Sequence, residues 1–168
     1  MARFAAFLRA VNVGGTGKLP MAALRAMCEA EDFTAVETYI ASGNVGFTTK
    51  FSRDQAKTKL EQQLAQHFGK PANLFLRDAD QLKAMIDSPF PQAVGNRLMV
   101  ILLAADPLRR MIEEAKNQRD EEIALGEACL YVHYPTGMGQ SKLKIPGAEQ
   151  GTARNMNTIR KMLEIVAS

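Results

Sequence analysis

The residues whose type and spacing most suggest chemistry are Gly14-Gly15-Thr16-Gly17-Lys18. Glycine-rich backbone running into a helix start can turn N–H groups toward an anion, and a lysine beside it adds charge. The spacing excludes the two familiar nucleotide motifs. A Walker loop has four residues between its first glycine and Gly-Lys, then a Ser or Thr for magnesium. Here two residues separate Gly14 from Gly17, and Leu19 follows Lys18. The dinucleotide fingerprint fails at Pro20, which stands where its third glycine belongs. Two readings stay open: a backbone anion cradle, or a plain flexible connector.

Other reactive side chains are sparse. The sequence has two histidines, His67 and His133, with no His/Glu cluster at ligand spacing, so no metal site is expected. His67 is expected at the end of a helix, bonding its last carbonyls. Ser42 precedes Gly43 in a turn without a Gly-x-Ser-x-Gly elbow. The pairs Glu113-Glu114 and Glu121-Glu122 read as solvated faces. Cys28 and Cys129 are a hundred residues apart and in no C-x-x-C pair, so both are expected to be reduced and buried. No catalytic residue or cofactor is named by these patterns.

Composition is that of an ordinary globular chain: 168 residues, 46% hydrophobic and 23% charged. Arg9 interrupts the N-terminal apolar stretch, which reads as a strand rather than a leader. The longest apolar run, Leu98 to Ala105, is far short of the ~20 residues that span a bilayer. A cytoplasmic protein with no membrane partner is expected. The net charge of +3 is small, but its distribution is uneven. Residues 1–28 hold Arg3, Arg9, Lys18 and Arg25 and no acid; residues 138–161 hold Lys142, Lys144, Arg154, Arg160 and Lys161 against Glu149 alone. Residues 106–127 run the other way, with seven acids to four bases.

The elements that must position these groups follow from periodicity and turn signals. Strands are expected over 3–12, 36–41, 45–49 and 73–77, with helices over 20–31 and 52–68 between them. Ser42-Gly43-Asn44 makes the hairpin turn and Gly69 the second helix stop. This β-α-β-β-α-β order is ferredoxin-like. The second half repeats the rhythm: a helix over 78–87, a strand over 98–104, a helix capped by Asp106, and a hairpin from strands 122–125 and 129–134. A loop-rich stretch over 135–151 follows, then a last helix starting near Thr152 or Asn155. The fold class expected is α+β, with two subdomains of ferredoxin-like character and mostly antiparallel sheets. Residues 1–78 would form the first subdomain, and 79–168 a second packed on it as one unit.

In a ferredoxin-like sheet the exit of strand one lies beside the strand 2–3 hairpin. That topology gathers Arg9, Asn12, Gly14, Gly15, Lys18, Ser42 and Asn44 on one edge. RNA-recognition modules share the element order and stack bases on strands one and three. Phe7 and Phe47 occupy those strands, but Asn44 to Thr49 does not match the aromatic signature. Core packing is the expectation for both rings.

Phe7 to Gly15, Lys18, Met21 to Leu24 and Thr38 to Val45 resemble the opening of the bacterial domain-of-unknown-function family 1697. Ser141-Lys142-Leu143 and Thr152 to Thr158 resemble its closing motif, with Met156 in place of a tryptophan. Ala10 stands in place of a more usual glycine, and Lys144-Ile145-Pro146-Gly147 breaks a segment that is often helical. The resemblance implies two ferredoxin-like subdomains and no established activity. It adds Lys142, Arg154, Asn155 and Asn157 to the polar set. Three functional readings follow: a binding protein for a nucleotide, phosphorylated metabolite or nucleic acid; an enzyme using the same edge, with Ser42 or Tyr39 taking part; or a structural or protein-interaction module. Binding without catalysis is the preferred one. Oligomeric state is not legible.

Overall fold

The structure, a computed structural model, describes residues 1–9, 18–40 and 43–167. Among these, eight strands and five α-helices make an α+β fold of two four-stranded antiparallel sheets. The chain divides into two compact units, Met1–Leu82 with Met162–Ser168, and Lys83–Lys161.

In the first unit β1 (Ala2–Leu8), β2 (Thr34–Tyr39), β3 (Asn44–Thr49) and β4 (Leu74–Arg77) pair in the order β2-β3-β1-β4. Helices α1 (Met21–Ala30) and α2 (Arg53–Phe68) supply the two crossovers of the ferredoxin-like order. Alternation along β1 sends Phe4, Ala6 and Leu8 into one core with Leu24, Met27 and Cys28 of α1 and Ala56, Leu60 and Leu64 of α2. Phe47 joins them, stacked on Phe33 at 4.3 Å between ring centroids. Ser52 forms a capping box with Gln55 at the start of α2, and Gly69 closes it in the left-handed region at φ 70°.

The opposite face of this sheet is covered as well. Ala5 and Phe7 are fully buried, and the end of α5 (Met156–Ala167) lies against β3. A Cβ on Gly46 would sit 2.5 Å from Cγ2 of Ile165, so only glycine admits the helix at this distance. Arg3 donates to the Ile165 carbonyl and to the Thr48 hydroxyl, both at 2.7 Å. Phe7 pairs with Asn44 and Phe4 with Phe47, which puts Phe7 and Phe47 on opposite faces, both buried. No base-stacking platform forms from them; both rings are core, as the sequence implied.

The second unit pairs β5 (Leu98–Leu102), β6 (Glu122–Gly126), β7 (Cys129–His133) and β8 (Thr152–Asn155) in the order β6-β7-β5-β8, the same topology in register. Its crossovers are reduced. One carries α4 (Arg110–Glu113), a single turn, and the other is a loop with a 3-10 turn at Ala148–Gln150. Leu143, Ile145 and Ala148 of that loop pack with Leu130 and Val132 where a helix would otherwise lie. Helix α3 (Ala79–Ile86) leads in, and the boundaries between the units fall within α3 and α5.

Three expectations are corrected. Of the two starts expected for the last helix, Thr152 is overturned: residues 152–155 are a strand, Thr152 pairing with Leu102 and Asn155 with Met99, and α5 begins just after Asn155. Asp106 does not cap α4, whose N-cap is Arg109; its Oδ1 accepts the Ala128 N–H at 2.7 Å instead. Glu121 is not on a solvated face but 4% exposed.

Candidate functional site

The first group of polar residues gathers where β1 ends. Antiparallel pairing sets Phe7 opposite Asn44 and Leu8 opposite Leu74. The Leu8 N–H donates to the Gly43 carbonyl at 2.9 Å, and the Arg9 N–H to the Asn73 carbonyl at 3.1 Å. Arg9, half-buried, therefore leaves the sheet between the hairpin and the start of β4. Lys18 is tied to the same end, because Nε2 of His67 in the last turn of α2 lies 3.1 Å from its carbonyl oxygen. That contact also corrects the expectation for His67, whose partner is outside its own helix. Asn44 is fully buried and donates to the Tyr39 carbonyl at 2.9 Å, holding the hairpin. Asn12, Gly14, Gly15 and Ser42 lie outside the described residues.

Lys18 is exposed, and among the described residues no carboxylate lies within 4 Å of it. Two residues on, Pro20 is the N-cap of α1, with no side-chain cap bond and no acid in the first turn of the helix. Its leading N–H groups thus carry their partial positive charge uncompensated by side chains of the helix itself.

The second group lies in the second unit. Arg154 is buried on β8, opposite Val100, where NH1 donates to the Thr152 hydroxyl at 2.7 Å and the Ala153 carbonyl at 3.0 Å. Burial pulls its guanidinium down to about 10. Asn155 is a helix cap: its Oδ1 accepts the Thr158 N–H at 3.0 Å. Asn157 is exposed on the first turn of α5, its amide against Gly95. Lys142 is exposed in the crossover loop. Met156, in the closing motif, is fully buried.

Sequence reasoning missed the polar centre beside Lys142. The Ser141 hydroxyl donates to Oε2 of Glu121, whose Oε1 accepts the Arg119 N–H at 2.6 Å. These bonds, that from Ser141 first, hold the Glu121 carboxyl below its ordinary value. Burial, and then the Glu121 charge, raise the neighbouring Tyr134 phenol. A second pair, Nδ1 of His133 with Oε1 of Glu122 at 2.8 Å, crosses from β7 to β6. Among the described residues no group of three or more His, Cys, Asp or Glu is placed to hold a metal ion.

Two ferredoxin-like antiparallel units with polar residues at strand ends define the class of protein. The chain belongs to the family described as protein of unknown function (DUF1697), whose model matches residues 1–131. It is similar to a solved structure, the conserved bacterial protein SP0830 from Streptococcus pneumoniae, at 25% identity and a TM-score of 0.80 over 98% of each chain. No curated protein matches the chain. No described helix is long and apolar enough to cross a membrane.

Proposed function

We propose that this protein binds an anionic ligand of the nucleotide, phosphorylated-metabolite or nucleic-acid class through the polar edge at the end of β1. The observation that carries the reading is Lys18: an exposed cation without a carboxylate partner among the described residues, next to the uncapped start of α1. Arg9 and Asn44 at the same end of the sheet support it, as does the acid-free sequence of residues 1–28. Asn12, Gly14, Gly15 and Ser42 belong to the proposal through the sequence alone. Lys142, Arg154, Asn155 and Asn157, in the second unit, belong to the proposal through the sequence resemblance. Arg154 and Asn155 have structural duties that would be sufficient reason for their presence; Lys142 is exposed, and Asn157 is exposed with its amide against Gly95.

A thermal-shift screen against nucleotides, sugar phosphates and short RNA, at low and high salt, tests this. A ligand at about a hundred times its Kd adds about 2.7 kcal/mol to stability. The expected result is a shift with one class that fades with salt and is lost in Lys18→Ala. No shift with any class removes the proposal.

A further inference from the structure

Lys116 and Lys144 face each other across a two-residue antiparallel bridge. The Lys116 N–H donates to the Lys144 carbonyl at 2.8 Å, and the Lys144 N–H to the Lys116 carbonyl at 2.9 Å. Such a pair sets its Cα atoms about 5.5 Å apart with both side chains on one face. That face is the solvent side. Ala115, Leu143 and Ile145 turn into the core of the second unit, while Lys116, Lys142 and Lys144 are exposed. Like charges directly opposite on paired strands are destabilising. Among the described residues, no carboxylate lies within 4 Å of any of the three.

The loop segment carrying two of these lysines is fixed independently of them. Ser141 is anchored on the buried Glu121 immediately before Lys142, and Ile145 is buried immediately after Lys144. Three lysines are thus carried on the exposed face of one short ribbon whose backbone is pinned beside them, so their like charges share that face. A ligand with several linked negative charges relieves that repulsion; a single carboxylate can satisfy only part of it.

We infer that Lys116, Lys142 and Lys144 form a binding surface for a chain of phosphates. This rests on the reading of the protein as an anion binder, and moves the second unit's contribution from Arg154 to the exposed ribbon. The chemistry is common to inorganic polyphosphate and to a nucleic-acid backbone, and the two are told apart by the probe.

The test measures anisotropy of a fluorescein-labelled single-stranded oligonucleotide with increasing salt, and thermal shift with inorganic tripolyphosphate. For three lysines on a single strand, the slope of log affinity against log salt is about −2. From about 50 to about 200 mM salt the affinity then falls on the order of ten-fold. Lys144→Gln should reduce the slope by about 0.7, and Lys144→Glu or Lys116→Glu should weaken binding further. Either glutamate variant replaces a like pair by an opposite one, so its melting temperature should hold or rise; this guards against loss by misfolding. Binding of both probes assigns a backbone-like ligand, and binding of tripolyphosphate alone assigns free polyphosphate. If neither probe binds, or if Lys116→Glu and Lys144→Glu bind as the wild type does, the inference is overturned. Binding lost in Lys18→Ala but kept in both glutamate variants overturns it while sparing the edge in the first unit. The reverse pattern upholds it and rejects that edge.

Discussion

The Ser141 hydroxyl and the Glu121 carboxylate join the crossover loop of the second unit to the start of β6, with Arg119 supplying a backbone N–H to the other carboxylate oxygen. These donors favour the ionised form, so the folded Glu121 titrates below the ordinary carboxyl value of 4.5. A depressed folded pKa contributes stability above the unfolded value, and that contribution is lost as pH falls through the folded one. Glu121→Gln should therefore be less stable than wild type at neutral pH, with the gap narrowing once pH drops below 4.5. Urea denaturation across that range measures it. A gap independent of pH would show that the carboxylate charge is not what the loop is tied to.

Both cysteines should be silent in the folded protein. Cys28 and Cys129 are fully buried, and burial, the largest influence, pushes the Cys28 thiol up to about 12. The thiolate is the reactive form, so a chromogenic disulfide reagent should find no fast thiol natively and both in denaturant. Rapid native labelling at Cys28 would contradict its place in the core.

Two glycines of the crossover loop should respond oppositely to alanine. At Gly151 a Cβ would come 2.3 Å from the Leu102 carbonyl oxygen, which is ladder backbone and cannot move aside cheaply. Gly151→Ala should cost about 1–3 kcal/mol. At Gly139 nothing lies within 4 Å and φ is not in the left-handed region. Gly139→Ala should be neutral or stabilise by about 0.4–1 kcal/mol through the unfolded chain. Chemical melts of the pair check both.

Asn155 separates a cap from a ligand contact. Asn155→Ala should cost about 1 kcal/mol, and Asn155→Ser should recover most of it, since serine caps nearly as well. If the serine variant regains stability but not ligand binding, the side chain does more than start α5.

Most of the first unit was legible because its signals are local: the apolar residues of β1 and β3, the helical spacing of Leu60 and Leu64, the Gly69 stop. β8 was not. Its buried residues are Thr152 and Arg154 and its exposed one is Ala153, so the polar-out rule runs backwards. Asn155, a true cap, made the four residues before α5 look like its first turn. Glu121 and Glu122 are neighbours of one type, yet one is buried on Ser141 and the other pairs with His133 at the surface. That difference is set by residues up to 20 positions away, beyond the reach of local pattern. Near the candidate site, the pairing of the end of β1 with Asn44 at the start of β3 followed from topology, and the burial of Arg154 did not.

The face of β3 at Gly46 is closed by Ile165 and Val166. A nascent chain that has reached residue 161 already carries every residue of the second unit, which is continuous in sequence. The first unit, although begun first, still lacks at that moment the residues that close its sheet at Gly46. Synthesis therefore passes through an interval in which the earlier-made unit is the unfinished one.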